Sequence, residues 1–221
     1  SSLSRAQQYK RNVLFLHTST IVPDHLARQF LRKGCNVYYL SDDVVYYMND
    51  MFEKPVFSFK HMCEDSYYKS IKTETDLLSS TFGGKSSLVE WINEKCRFDA
   101  TQLVLPYLKY FIEDVCSEIL FKSKRFIEFY KNLDIDMVVA TSASDNNSKS
   151  ALIAAKKANI DRIGFQHGTD IYNNRNWHIN DIDNFDYYFT FEPLAEERFK
   201  RAVCYDYVNN TKILQMPYRL T

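Results

Sequence analysis

Three short polar segments, each directly after an apolar run, hold the residues of this sequence that could do chemistry. A histidine in such a place has the pKa range of a general base, which accepts a proton from a reacting hydroxyl. Together the segments offer two histidines, several hydroxyls and aspartates. The candidates are His17 and Thr18 in the first segment, Ser142, Ser144 and Asp145 in the second, and Gln166, His167, Gly168 and Thr169 in the third.

Each segment also has a structural interpretation. His17 could be a strand-end histidine that hydrogen-bonds to a neighbouring loop. The segment from Ser142 to Asp145 could cap the helix that follows, since Ser and Asp are preferred at that position. Capping and anion binding are compatible, because a helix N-terminus favours negative charge. For His167 the catalytic interpretation is favoured, because Gly168 permits a tight turn with close backbone approach.

The first half of the chain must position the first segment, and it reads as strand, helix, strand. An apolar run at 12–20 is followed by helical spacing over 23–33, with Gly34 where a helix C-cap is expected, and by a β-rich run at 35–41. Such a unit implies parallel strands. Further predictions are a helix from residue 42 or 43 to 51, a short strand at 55–59 and a helix at 87–96.

The second half returns to the same rhythm after a long amphipathic helix at 106–133, whose first turn would contain Pro106. The later strands and helices are predicted at 135–140, 148–159, 162–165, 185–191, 193–203 and 212–216. The strands are apolar throughout rather than alternating, which favours a parallel sheet covered on both faces. We therefore predict a three-layer, Rossmann-like α/β domain with a mainly parallel sheet. Ligands of such sheets bind beyond the carboxyl ends of the strands, where the three polar segments begin.

Composition excludes several classes of protein. The 221 residues carry 28 Lys+Arg and 28 Asp+Glu, so the chain lacks the basic excess that a nucleic-acid binder needs. No apolar stretch approaches the length of a transmembrane helix, and the polar N-terminus lacks a signal-peptide core. Five cysteines without CxxC spacing indicate neither a disulfide framework nor a zinc site. We expect a cytoplasmic protein without metal or cofactor.

The C-terminal part resembles a known family on the segments IGFQHGT, FDYYFTFEPLAEERF and KILQMPYRL, within residues 160–221. It looks like the acceptor-side half of GT-B-type glycosyltransferases and glycerophosphotransferases of bacterial surface polysaccharide synthesis (capsule, teichoic acid, O-antigen). There a strand ends in a His-Gly turn, as at His167 and Gly168. The last segment departs from the family pattern, because it lacks the glycine and Tyr218 separates Pro217 from Arg219.

The resemblance implies a half-enzyme, since GT-B proteins have two Rossmann-like domains and bind the nucleotide-activated donor mainly in the second. This chain would be the N-terminal domain, and the donor site would lie outside it. His167 would be the catalytic base that deprotonates a hydroxyl of a glycan or lipid-linked acceptor. The other candidates would bind substrate: His17 and Asp145 by lining the cleft, Ser142, Ser144 and Thr169 by bonding sugar or phosphate oxygens, with Thr18, Gln166 and Gly168 beside them.

Two other functions are compatible with the same residues. One is a non-catalytic α/β module that recognises a partner, although the acidic cluster of a receiver domain is absent after the first strand. The other is a sugar-nucleotide epimerase-like enzyme with the same two-domain plan.

If the chain belongs to a glycosyltransferase of surface polysaccharide synthesis, we expect that enzyme to act at the inner face of the membrane and to associate with it peripherally.

Overall fold

A parallel sheet of seven strands forms the centre of the described part of the chain. The computed structural model describes residues 10–16, 21–40, 56–57, 87–96, 99, 101–143, 145–166, 182–191, 197 and 211–216. Every pairing is parallel, in the order β3-β2-β1-β4-β5-β6-β7. The strands are β1 (Asn12–Leu16), β2 (Asn36–Leu40), β3 (Val56–Phe57), β4 (Met137–Ala140), β5 (Asp161–Phe165), β6 (Tyr187–Thr190) and β7 (Lys212–Gln215).

Helices alternate with these strands along the chain, and some of them cover the sheet. They are α1 (Ile21–Arg32), α2 (Ser87–Cys96), α3 (Thr101–Tyr110), a π-helical turn (Phe111–Cys116), α4 (Ser117–Asn132), α5 (Asn146–Lys157) and a 3₁₀ turn (Ile182–Asn184). None of the helices in this part of the chain is both long and apolar enough to span a bilayer.

The two faces of the sheet carry separate apolar clusters, which makes the domain three-layered. Along β1, Leu14 and Leu16 face Phe126 and Tyr130 of α4 and the alanine-rich side of α5. Val13 and Phe15 belong to the opposite cluster with Ala27 and Phe30 of α1. Burial on both faces explains why the strands read as continuous apolar runs. The predicted Rossmann-like fold with a mainly parallel sheet is confirmed.

The amino end of the sheet is tied together by Asn12. Its backbone N–H donates to Asp136 Oδ2 at 2.8 Å, and its side-chain amide donates to the Leu133 carbonyl at 2.9 Å. The side-chain oxygen Oδ1 of Asn12 accepts from Asn36 Nδ2 at 2.6 Å. One asparagine thus aligns the starts of β1, β2 and β4.

The first strand–helix–strand unit follows the sequence prediction closely. Helix α1 ends one residue before the predicted bound, and Gly34 has a φ of 83°. That left-handed conformation lets the Cys35 N–H donate to the Phe30 carbonyl at 3.0 Å and closes the helix. The predicted helix at 42–51 lies outside the described residues, as does almost all of the one at 193–203.

The long helix differs from its prediction at its N-terminal end. It begins at Thr101, so Pro106 lies in the middle of α3 rather than in a first turn. Asp99 gives the physical reason, because its carboxylate accepts from the Thr101 N–H at 2.9 Å and supplies a start that the prediction overlooked. The π-helical turn then separates α3 from α4, and Ser117 Oγ donates to the Glu113 carbonyl within it.

Candidate functional site

The three strands that precede the polar segments lie side by side in the sheet. β4 pairs with β1 through Leu16 and Ala140, and with β5 through Ala140 and Gly164. Their carboxyl ends therefore meet at one place. The strand order also reverses there, since β3-β2-β1 runs one way and β4-β5-β6-β7 the other. Such a switch point opens a crevice outside the carboxyl ends of the strands, where open α/β sheets bind their ligands.

The segment after β4 turns directly into helix α5. Thr141 and Ala143 are buried and Ser142 is half-buried. Asp145 is the N-cap of α5, because its side chain accepts from the Ser148 N–H at 2.9 Å. The structural interpretation of this segment is thereby confirmed at Asp145, while its predicted contact with substrate stays a prediction.

Helix α4 also holds the first turn of α5 through hydrogen bonds between side chains. Glu118 of α4 accepts from Asn146 Nδ2 at 2.9 Å and from the Lys122 ammonium, which also donates to Asn147 Oδ1 at 2.5 Å. Burial alone would raise the pKa of Glu118, but the bonds from Lys122 and Asn146 outweigh it and hold that pKa below its ordinary value. The sequence analysis did not single out Glu118 and Lys122, although their i, i+4 spacing is a readable signal.

The segment after β5 begins with a buried side chain. Gln166 Oε1 accepts from Thr190 Oγ1 at 2.6 Å and from the Phe191 N–H at 3.0 Å, and the Gln166 N–H donates to the Phe189 carbonyl at 2.8 Å. These bonds tie the end of β5 to the end of β6. Gln166 therefore has a structural role that the sequence did not indicate, and its predicted contact with substrate stays a prediction.

The other predicted site residues lie outside the described residues. They follow described strand ends in the chain, with His17 directly after Leu16 of β1 and His167 directly after Gln166. Their roles stay predictions. These residues are His17, Thr18, Ser144, His167, Gly168 and Thr169.

The opposite, amino end of the sheet holds a cavity of about 380 Å³ lined by residues of α5, β5 and the turn before β6. Its floor is an ion pair in which Arg162 donates from Nε to Asp186 Oδ2 at 3.0 Å and from Nη2 to Asp186 Oδ1 at 2.6 Å. The cavity lies away from the switch point, so it does not contribute to the candidate site. Within the described ranges, no three histidine, cysteine, aspartate or glutamate side chains are grouped closely enough to hold a metal ion.

Comparison with known proteins gives matches among solved structures only. No protein-family model and no curated protein matches the sequence. UDP-GlcNAc 2-epimerase from Methanocaldococcus jannaschii matches with a TM-score of 0.50 and 12% identity, over 93% of this chain and 45% of that one. A glycosyltransferase from Rickettsia africae matches with a TM-score of 0.46 and 12% identity, over 94% of this chain and 42% of that one. MurG from Acinetobacter baumannii matches with a TM-score of 0.41 and 11% identity, over 83% of this chain and 42% of that one.

At these identities the epimerase match shows a shared fold. The chain spans less than half the length of each of these proteins. The described sheet therefore has the fold of one part of a longer α/β protein such as the epimerase.

Proposed function

We propose that this chain is the acceptor-side half of a two-domain GT-B-type glycosyltransferase of surface polysaccharide synthesis. The single observation that supports this most is that β1, β4 and β5, the strands that precede the three polar segments, are neighbours in the sheet, with the switch point between β1 and β4. The half-length match to the solved epimerase supports the two-domain plan at the level of the fold. The enzyme transfers a sugar, or glycerol phosphate, from a nucleotide-activated donor to a glycan hydroxyl.

In this proposal His167 is the general base. It takes the proton of the acceptor hydroxyl while that oxygen bonds to the transferred group and the bond to the donor phosphate breaks. The tie between Gln166 and Thr190 fixes the backbone immediately before His167, so the base follows a rigid strand end. His17 and Asp145 line the cleft. Ser142, Ser144 and Thr169 hydrogen-bond the acceptor, with Thr18 and Gly168 beside them.

The donor binds to the second half, which these 221 residues do not include. The acceptor is a glycan or a lipid-linked glycan. A lipid-linked acceptor would hold the enzyme at the inner face of the membrane. The chemistry assigned to His167 needs neither a metal nor a cofactor.

The experiment that tests this function replaces His167 in the complete protein. We expect His167→Ala to lower the turnover number by about 10²–10⁴-fold, the usual contribution of a general base, and to leave the melting temperature unchanged. The matched control is His25→Ala, since His25 is an exposed histidine on α1 whose ring nitrogen Nε2 lies 3.4 Å from Gln29 Nε2, away from the strand ends. Normal turnover in a stably folded His167→Ala variant would rule out the base.

A glutamine at the same position separates catalysis from structure. If His167 only holds the turn by a hydrogen bond, His167→Ala lowers the melting temperature, and His167→Gln restores both stability and turnover. If His167 is the base, His167→Gln is stable and its turnover is as low as that of His167→Ala.

A second candidate is a sugar-nucleotide epimerase, which the fold shared with UDP-GlcNAc 2-epimerase favours. The products decide between the two. A transferase gives an elongated acceptor and a nucleotide diphosphate or monophosphate, whereas an epimerase gives an isomeric nucleotide sugar without any acceptor. Absence of both products would point to the third possibility, a non-catalytic binding module.

A further inference from the structure

An ion pair of helix α4 reaches the first two residues of helix α5. Glu118 Oε2 accepts from Asn146 Nδ2 at 2.9 Å, and Lys122 Nζ donates to Asn147 Oδ1 at 2.5 Å. Lys122 also donates to Glu118 Oε1, so the pair and the two asparagines form one network. Asn146 directly follows Asp145, the N-cap of α5. The network therefore ends one residue from a candidate substrate-binding side chain.

Other contacts already hold the two helices together along their length. Ser123 Oγ of α4 donates to the Ser150 carbonyl at 3.1 Å, and Tyr130 Oη donates to the Ala151 carbonyl at 2.9 Å. All four of these residues are buried. Phe126 of α4 belongs to the same apolar cluster as Ala151. These contacts fix the distance between the helices, and the network adds a constraint at one end of α5 only.

The network is poorly suited to adding stability. The Glu118 and Lys122 side chains are 30% and 15% exposed, so solvent screens part of their attraction. A lysine held in one rotamer also loses more side-chain entropy than most residues. Apolar side chains of similar size often stabilise an interface as well as an ion pair does. The main effect of the network is therefore to select one position for the first turn of α5.

That turn lies next to the candidate site. β4 ends at Ala140, beside the end of β1, and α5 begins at Asn146. Ser142 and Asp145 lie in the short segment between the two. The position of the first turn therefore sets the position of Asp145. Such positions matter, because a misplacement of 1 Å can cost about 10²-fold in the rate of an enzyme.

We propose that Glu118 and Lys122 are positioning residues of the acceptor site, which hold Asp145 in place through Asn146 and Asn147. This inference rests on the function proposed above. Neither side chain is assigned a contact with substrate, since both act through the first turn of α5. Because the donor site is assigned to the second half, the positioning affects the acceptor alone.

Amide hydrogen exchange, followed by NMR on this chain without substrate, tests the positioning itself. The variant is Lys122→Met, which keeps the length of the side chain and removes the donor. The Ser148 and Lys149 N–H groups, which donate to the Asp145 side chain and carbonyl at 2.9 and 3.0 Å, should exchange at least about fivefold faster. The Ala158 N–H, at the other end of α5, should exchange at its original rate.

A double-mutant cycle tests whether Lys122 acts through Asn147. Asn147→Ala should give the same faster exchange as Lys122→Met, and the double variant should add nothing further. Full additivity, or an unchanged exchange rate at Ser148 and Lys149, would overturn the proposal. Equal acceleration along the whole of α5 would also overturn it, because that result indicates a general loss of stability. Glu118→Gln repeats each measurement in case Lys122→Met is unstable.

Steady-state kinetics on the complete enzyme test the link to the acceptor, with the donor and acceptor that give an elongated product. In Lys122→Met we expect KM for the acceptor to rise about tenfold, and KM for the donor and the turnover number to change less than about twofold. Lys122→Arg keeps a cation with N–H donors and should recover most of the affinity. Lys109→Met is the matched control, since Lys109 of α3 has the same i, i+4 relation to Glu113, at 3.9 Å, and it should leave all three constants unchanged.

The two experiments separate this proposal from the proposed function. Faster exchange with an unchanged acceptor KM would overturn the assignment of the network to the acceptor site. A complete protein that transfers nothing would overturn the proposed function, whereas faster exchange confined to the first turn would still support the positioning of α5 by Lys122.

Discussion

At the scale of single residues, the tie between Gln166 and Thr190 holds the carboxyl ends of β5 and β6 together. We expect Thr190→Val, which keeps the shape and removes the hydroxyl donor, to lower the free energy of unfolding by about 1–2 kcal/mol. Thr190→Ser keeps the donor and should recover most of that loss. Urea unfolding of both variants checks this, and equal stability of the valine and serine variants would contradict it.

The ion pair between Arg162 and Asp186 makes stability depend on pH. Burial alone would raise the pKa of Asp186, but the bonds and charge of Arg162, with a smaller effect of Lys156, hold that pKa below its ordinary value. A carboxyl with a depressed pKa in the folded state stabilises the fold above its unfolded pKa of about 3.9, and that contribution is lost as the pH falls through the folded value.

Replacement of the carboxylate should reveal that dependence. At pH 7 we expect Asp186→Asn to lower the free energy of unfolding by about 2 kcal/mol, less than for a fully buried pair because the Asp186 side chain is 38% exposed. The difference from wild type should shrink as the pH falls below about 4. Asp183→Asn, at an exposed aspartate of the same cavity, is the control and should change little. A difference that is constant between pH 7 and pH 3 would contradict the assignment.

At the scale of elements, Gly164 of β5 leaves space for two aromatic rings of the neighbouring segment, Phe185 and Tyr188. A methyl group on Gly164 would lie 2.5 Å from Phe185 Cδ2 and 2.6 Å from Tyr188 Cδ2. We expect Gly164→Ala to lower the free energy of unfolding by about 1–3 kcal/mol, the usual effect of overpacking. Phe185→Leu should relieve part of that loss in a double-mutant cycle.

Gly34→Ala is a useful comparison, because Gly34 has a φ of 83° and a methyl group there would meet no neighbouring atom within 4 Å. Gly34→Ala should lower the free energy of unfolding by about 1 kcal/mol through backbone strain alone. Phe185→Leu should leave that decrease unchanged. If Phe185→Leu relieves both glycine variants equally, the steric explanation for Gly164 is wrong.

Most strands and helices could be predicted from the sequence, because their signals are local. The apolar run around Val13 and the C-cap at Gly34 specify β1 and the end of α1 almost without context. The start of α3 was missed although its signal is equally local. Pro106 is common in a first turn, and the prediction followed it rather than Asp99, which lies two residues before Thr101 and accepts from its N–H.

The adjacency of the three strands that precede the polar segments could be predicted from the sequence, whereas the contacts of single side chains could not. The position of the polar segments after apolar runs indicated the carboxyl end of the sheet, and the strand order confirms that β1, β4 and β5 are neighbours there. The roles of single side chains depend on contacts between distant segments. Gln166 illustrates this, since its partner Thr190 lies 24 residues away and no local pattern connects the two.

At the scale of the whole molecule, we propose that this chain binds the acceptor and that a second half binds the donor, which predicts weak donor binding by this chain alone. Isolated, this chain should bind UDP or CMP sugars weakly or not at all, because its sequence contains neither a G-x-x-x-x-G-K nor a G-x-G-x-x-G phosphate-binding motif. Titration calorimetry on the chain alone checks this. A micromolar dissociation constant for a nucleotide sugar would overturn the assignment of the donor to the second half.

The bond from Asn12 to Asp136 spans 124 positions of sequence. Strand β1 has one neighbour close in sequence, β2, and its other neighbour, β4, is synthesised much later. At about 5–20 residues per second, a ribosome needs roughly 6–25 s to make the intervening chain. During that interval β4 is absent, so Val13, Leu14 and Phe15 of β1 lack the strand that later pairs with them on one side. Nascent chains of this protein should therefore depend on chaperones that shield apolar segments, and slower translation would lengthen that dependence.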